Sequence, residues 1–382
     1  MRILFVPSYY PTDQWPEYCV FLEQQAQALK DQGEDVEILH FAPDGDGWRK
    51  GLRVHRLDLA LRKRDLLALN RGAKRKLRGF PWWEYDVVSM QFGPVTVLSY
   101  VARCCEIWKV PVTMTYHGLN VWEDYDQKRD ILHRTYYALK RRQKRRMLRR
   151  VRTAIGVSDL VCREIRRGAP WVRTETVYNG VDPEKFYPGE QERRDKFRIL
   201  CVGNLTKIKG QVYLRRAAGE LAGEGRSFCL TLIGDGPERE NLQALCGELG
   251  IEGMVIFLGV QPYEAVACWM RESDLFLLPS FFEAFGCVYL EAMSSGVLAC
   301  GCQGTGAEEI LRDNGLLVKQ RDVEEIKNAI RFAMDCPEEA RVLARAGRSR
   351  AGEFSWEASA RKLREVYRTC LEGCAWGGQP GE

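Results

Sequence analysis

Two α/β domains, each built on a parallel sheet, are what this sequence predicts. Three observations carry the prediction. The chain has 382 residues, too many for one ordinary core and enough for two of about 150–200 residues each. Short apolar runs alternate with helical periodicity through the first half, which is the pattern of βαβ units. The alternation halts at the polar segment 188–196 and then begins afresh.

Residues 3–6 read as the first strand. Over 17–32 the helical period puts Phe21, Leu22, Ala26 and Leu29 on one face, with Gly33 just past the end. Residues 36–41 form the next strand, and 87–90, 112–116 and 154–157 follow, each succeeded by a loop or helix. The second half repeats the design with strands at 198–203, 227–234, 255–258, 275–278 and 297–300. Sheets of this kind bind ligands at the carboxyl ends of their strands. Turn residues at 179–183 and the polar stretch 188–196 place the linker, giving domains at 1–186 and 187–354. Residues 355–382 are a closing helix and tail.

Composition narrows the function. Hydrophobic residues make up 45% of the chain, which supports folded domains rather than disorder. The apolar run at the N-terminus is one strand long, too short for a signal-peptide core. No window approaches the ~20 apolar residues a membrane-spanning helix needs. The 14 cysteines are scattered without paired C-x-x-C spacing, so they read as reduced thiols in a cytoplasmic protein, not as zinc ligands. The net charge of +5 is unevenly spread. Between Arg134 and Arg152 stand Lys140, Arg141, Arg142, Lys144, Arg145, Arg146, Arg149 and Arg150, with no acid. Residues 62–64 and 74–78 add a second basic stretch. With Leu132, Tyr136, Leu139, Met147 and Leu148 interleaved, the first run suits an amphipathic helix at an anionic membrane surface. The alternative is a solvated helix face. No nucleic-acid motif accompanies the charge, so nucleic acid is not an expected partner.

The most informative stretch is 280–296, SFFEAFGCVYLEAMSSG. A buried strand ends before it, and Val288, Leu290, Ala292 and Met293 have helical spacing after it. Glu283 therefore stands in the loop and Glu291 in the helix. A glutamate in such a place is, taken alone, usually a cap or a solvated charge. Backbone amides around Gly286 and Cys287 would be unpaired donors at a helix N-terminus, where anions bind. Acids beside an anion site suit a ligand with phosphate and hydroxyl groups, such as a nucleotide sugar. Upstream, a strand ends at Gly203 and leads into Asn204 and the lysines Lys207 and Lys209, either of which can reach a diphosphate as a mobile point charge. Another strand ends in Gly234-Asp235-Gly236-Pro237, and a third segment runs through Phe257 to Val260. In the first half, His117 ends a strand in the run TYHGLN.

The 280–296 block closely resembles the E-x7-E signature of glycosyltransferase family 4, retaining enzymes of the GT-B fold, in which two doubly wound Rossmann-like domains face across a cleft. The match covers Pro279, Ser280, the Phe285-Gly286 step, Glu291 to Met293 and Gly296. It is strong over the second half of the chain and looser over the first. The resemblance implies a metal-independent hexosyltransferase without cofactor, whose donor is a nucleoside-diphosphate sugar, a UDP-sugar being favoured, and whose acceptor is a glycan or lipid-linked hydroxyl. It implies catalytic roles for His117, Lys209 and Glu283. Donor contacts would come from Gly203, Asn204, Lys209, Gly234, Asp235, Gly236, Val260, Glu283, Ala284, Phe285, Gly286, Cys287 and Glu291. Here Glu283 would hold sugar hydroxyls, Glu291 the ribose, and His117 would position the sugar from the opposite domain. No metal site is expected. The chain departs from the family twice. Asn204 occupies the position of a family arginine, and the loop 7–18, PSYYPTDQWPEY, lacks the usual paired glycines. The acceptor-side residues implied are Tyr9, Tyr10, Trp15 and Tyr18. A cytoplasmic protein, peripheral on the inner face of a membrane and acting in cell-surface polysaccharide or glycolipid synthesis, is the expectation. The other classes compatible with the residues are a nucleotide-sugar epimerase and a non-catalytic binding protein with a decayed donor site.

Overall fold

Short strands rich in Val, Ile and Leu, each followed by a helix, assemble into two separate parallel sheets. The computed structural model describes residues 1–12, 19–43, 45–61, 68–122, 131–189 and 195–372. In chain order the first half gives β1 (Arg2–Val6), α1 (Val20–Asp31), β2 (Asp35–His40), β3 (Gly47–Arg49), β4 (Leu52–Arg56) and α2 (Arg71–Gly79). It continues with β5 (Val87–Met90), α3 (Val95–Ile107), β6 (Val112–Tyr116), α4 (Ile131–Leu148), β7 (Thr153–Gly156), α5 (Asp159–Gly168) and β8 (Arg173–Thr176). The strand order is β3-β4-β2-β1-β5-β6-β7-β8, parallel apart from the antiparallel β3–β4 pair. Strands β3, β4 and β8 were not expected from the sequence. They lie at or next to the sheet edges and carry polar residues such as Arg173-Thr-Glu-Thr, so no apolar run announces them.

The second half gives β9 (Phe197–Val202), α6 (Gln211–Gly223), β10 (Phe228–Ile233), α7 (Arg239–Leu249), β11 (Val255–Gly259) and α8 (Tyr263–Arg271). Then come β12 (Leu275–Leu277), α9 (Cys287–Ser294), β13 (Leu298–Cys302), α10 (Gly306–Leu311), β14 (Leu316–Val318), α11 (Val323–Asp335) and α12 (Pro337–Ala351). This sheet is wholly parallel, in the order β11-β10-β9-β12-β13-β14. Its central strands are apolar on both faces because helices cover both: Leu275, Phe276 and Leu277 are fully buried. Each such side chain contributes about 1.5–3 kcal/mol of burial. In both sheets the order reverses beside one strand, between β1 and β5 and between β9 and β12. Loops leaving the carboxyl ends of those strands diverge there and open a crevice.

By their internal contacts the residues form two units, Met1–Tyr178 with Trp356–Glu382, and Asn179–Ser355. Residues 179–186 pack with the second unit. The Val181 amide donates to Phe354 O at 2.8 Å, and Phe186 is fully buried with its carbonyl accepting from Ser294 Oγ at 2.6 Å. The last helix, α13 (Trp356–Glu372), returns to the first unit and packs along α1. Its Ala360, Leu363, Val366 and Tyr367 join Leu22, Ala26 and Leu29 in one core cluster. Polar contacts fix the seam: Arg364 Nε donates to Glu34 Oε1 at 2.7 Å, and Gln32 Nε2 donates to Glu357 O at 2.7 Å. None of the described cysteines forms a disulfide. No helix among the described residues is long and apolar enough to cross a membrane.

Candidate functional site

In the second unit three strand-end loops are stitched into one shelf. Gly203 N donates to Ile233 O at 2.9 Å, Leu205 N to Asp235 O at 2.9 Å and Gly234 N to Gly259 O at 2.8 Å. Gly234 is required there: its φ is +128°, and a Cβ would lie 2.2 Å from the Gly203 carbonyl oxygen. Asn204 and Asp235 are exposed on this shelf, and Asp235 pairs with Arg239 at 3.3 Å. Val260, the first residue of the third loop, is 74% exposed.

Lys209 and Glu283 meet at the reversal point of the sheet. Lys209 closes a short 3-10 turn after β9, and Glu283 follows β12. The two turns are tied together by Phe281 N donating to Ile208 O at 3.0 Å and Ser280 Oγ donating to the same carbonyl at 3.3 Å. Lys209 Nζ donates to Glu283 Oε2 at 2.6 Å, with both side chains largely buried. Four residues further on, α9 begins at Cys287 with Gly286 as its N-cap at φ +94°. No side chain caps this end, which is where a helix favours an anion. Side chains of Ala284 and Phe285 are buried, the Phe285 ring standing 6.2 Å from that of Phe354. The Cys287 thiol accepts from Asn179 Nδ2 at 3.4 Å. Burial pushes that thiol up to about 12, with Glu291 and then Glu283 adding to the shift. Both carboxylates thus act on the first turn of α9.

Glu291, on the second turn of α9, is 9% exposed. Tyr263 OH donates to its Oε1 at 2.9 Å. Burial raises its carboxyl from the ordinary value to about 7, opposed by the Tyr263 hydrogen bond and the Lys185 charge.

The first unit holds its own half of the expected residues. His117 follows β6, its Nε2 2.8 Å from Gln91 Oε1. Phe21 and Phe92 flank the ring at centroid distances of 4.9 and 5.7 Å. Burial lowers the imidazole to about 3, so it is neutral at physiological pH. Beside it lies a cavity of about 310 Å³ lined by Phe92, Leu98, Met114, Tyr116, Lys144 and Met147 among others. Tyr9 is exposed and stacks on Phe92 at 5.6 Å. Tyr10, unlike Tyr9, is 3% exposed and belongs to the core cluster with Phe5, Leu22 and Ile38. Trp15 and Tyr18 lie outside the described residues.

Three contributors escaped the sequence reading. Gln91 and Tyr263, which hold His117 and Glu291, belong to no motif and are visible only through long-range contacts. Gly306 N donates to Glu283 O at 2.8 Å, and a Cβ at Gly306 would sit 2.3 Å from Ala284 O. The Gly304-Thr305-Gly306 turn between a strand and a helix was the available signal. Among the described residues, no group of three His, Cys, Asp or Glu side chains is placed to hold a metal ion.

Known proteins are similar to this chain in sequence and fold. Residues 183–350 match the family model described as Glycosyl transferases group 1, and residues 20–185 match that described as Glycosyltransferase Family 4. A D-inositol 3-phosphate glycosyltransferase of Rhodococcus opacus is 32% identical over 235 residues, 56% of this chain and 52% of that protein. One from Corynebacterium aurimucosum is 25% identical over 317 residues, 75% of this chain and 72% of that protein. The chain spans about half the length of the first curated relatives it matches. Sucrose-phosphate synthase from Thermosynechococcus elongatus superposes with a TM-score of 0.77 at 20% identity, over 98% of this chain and 100% of that one. Anabaena HepE in complex with UDP gives 0.74 at 19% identity, over 97% and 100%. The fold is that of the GT-B glycosyltransferases.

Proposed function

With the chain taken as a glycosyltransferase of the GT-B type, as both family matches and the fold support, we propose that it moves a hexose from a nucleoside diphosphate to an acceptor hydroxyl with retention of configuration. The observation that carries the reading is the Lys209–Glu283 pair at the reversal point of the second sheet, next to the uncapped N-terminus of α9. A diphosphate placed there takes the Lys209 charge and frees Glu283 to accept hydrogen bonds from sugar hydroxyls. Glu291 binds the ribose hydroxyls once ionised. UDP is the favoured carrier, since Anabaena HepE was solved with UDP and with UDP and glucose.

The barrier is the charge that develops as the diphosphate leaves and the sugar gains oxocarbenium character. Lys209 and the α9 amides stabilise the departing phosphate oxygens without reorganisation. The bond from the anomeric carbon to the phosphate oxygen breaks, and the acceptor oxygen bonds to the same face. The acceptor's proton passes to the leaving phosphate oxygen. With Lys209 and the positive end of the α9 dipole at the leaving group, the reaction needs no metal ion. Asn204 leaves one charge fewer than the family pattern, and this favours weak donor binding over loss of the site.

The acceptor is a glycan or lipid-linked hydroxyl at an anionic membrane surface. Support comes from α4, where Arg141, Arg142 and Arg146 are exposed and make none of the backbone bonds that occupy Lys144 and Arg145. The test of the donor site is a thermal-shift panel of UDP, GDP, ADP and their sugars with EDTA, on wild type and Glu291→Ala. Stabilisation by one nucleotide family, lost in the variant and indifferent to EDTA, is expected. No shift with any nucleotide would make the chain a binding protein with a decayed donor site.

A further inference from the structure

Behind His117 runs a buried chain of polar groups. Gln91, just past β5, places Oε1 2.8 Å from His117 Nε2, and its own Nε2 donates to Ser89 Oγ at 3.0 Å. Ser89 Oγ also meets Thr113 Oγ1 from β6 at 3.2 Å and Tyr367 OH from α13 at 2.9 Å. Ser89, Gln91, Thr113 and Tyr367 all have no exposed surface. Polar groups at such depth cost stability unless they are paired, and these four pair with one another.

The Gln91 amide, placed with its nitrogen toward Ser89 and its oxygen toward His117, gives the chain a direction. With the Gln91 amide nitrogen donating to Ser89, its oxygen can only accept. The His117 nitrogen facing that oxygen must then carry the hydrogen. A neutral imidazole has one N–H, so Nδ1 is left with a bare lone pair. Nδ1 is itself buried and makes no hydrogen bond.

We propose that Gln91 is a positioning residue that fixes His117 as the Nε2–H tautomer, so that Nδ1 is the ring nitrogen left to accept a hydrogen bond when the site around it opens to substrate. Tyr367, through Ser89, anchors Gln91 from the last helix. The part of this that concerns substrate rests on the glycosyltransferase reading; the tautomer does not. In this arrangement His117 accepts a hydrogen bond from a sugar or acceptor hydroxyl and has no hydrogen to give a phosphate.

The test is long-range nitrogen–proton NMR on full-length chain labelled at histidine. The chain has only four histidines, and loss of one signal set in His117→Gln assigns the one that matters. Wild type should show His117 protonated at Nε2 and bare at Nδ1. Gln91→Leu should shift the tautomer ratio toward Nδ1–H by roughly fivefold, the weight one hydrogen bond carries. Gln91→Glu, which still accepts at the same place, should keep the wild-type tautomer. A wild-type Nδ1–H spectrum, or an unchanged ratio in Gln91→Leu, would overturn the proposal. The wild-type spectrum decides even where Gln91→Leu does not fold. In turnover assays Gln91→Glu should retain more kcat than Gln91→Leu, with the donor KM unchanged. A shifted tautomer with unchanged kcat would remove His117 from the reaction and leave the positioning intact.

Discussion

Replacing Glu291 with glutamine should stabilise the protein while abolishing its nucleotide response. The carboxyl is raised from 4.5 to about 7, first by burial. Each pKa unit is about 1.36 kcal/mol, so holding this group ionised in the folded state costs about 3 kcal/mol. The folded state binds the proton more tightly than the unfolded chain does. Its contribution is therefore fully present below 4.5 and lost progressively as pH rises through about 7. Glutamine keeps the partner for Tyr263 and carries no charge at any pH. Relative to wild type, Glu291→Gln should gain little at about pH 5 and up to about 3 kcal/mol at about pH 8. That is roughly 5–10 °C in Tm for a unit of this size. The same variant should lose the roughly 2.7 kcal/mol that a nucleotide at ~100 times its Kd adds to wild type. Scanning fluorimetry across the pH range, with and without UDP, reads both. An equal stability difference at both pH values would show that Glu291 is not held protonated, and the argument from its burial fails.

A double-mutant cycle on Lys209→Met and Glu283→Gln should give a coupling of about 1–2 kcal/mol by urea unfolding, between the exposed and buried limits for ion pairs. Independent effects would mean that the 2.6 Å contact carries no energy. Gly234→Ala should lose about 2–3 kcal/mol or more, since it adds left-handed strain to a contact with the Gly203 carbonyl; a variant with wild-type Tm would refute the fit. Changing Arg141, Arg142 and Arg146 to Ser should release the protein from vesicles containing phosphatidylglycerol at about 0.1 M salt. Undiminished co-sedimentation would remove the membrane surface from the reading.

The sequence displayed its buried parts well. Strands 3–6, 87–90 and 275–278 are covered on both faces, so their apolar runs are continuous, and β1, β5 and β12 lie where those runs stand. The loop–helix step at Gly286 was legible because glycine at φ +94° and the helical spacing after it are local properties. Edge strands such as β8 were not legible, since an edge needs no apolar face. Nor were Gln91 and Tyr263, whose partners stand 26 and 28 residues away. The burial of Tyr10 was not legible either, since an aromatic in a polar loop gives no local sign of the core cluster it joins.

The return of α13 has a consequence for biosynthesis. The first unit's core takes in Leu363, Val366 and Tyr367, yet the ribosome makes all of Asn179–Ser355 before reaching them. At 5–20 residues per second that delay is roughly ten to forty seconds, during which the face of α1 bearing Leu22, Ala26 and Leu29 lacks its cover. A nascent chain is thus open to chaperones and proteases at this seam while its second unit can already fold. The buried hydroxyl that reaches Ser89 arrives with the same helix. A chain released early, before α13 is made, would leave the Leu22, Ala26 and Leu29 face without this cover.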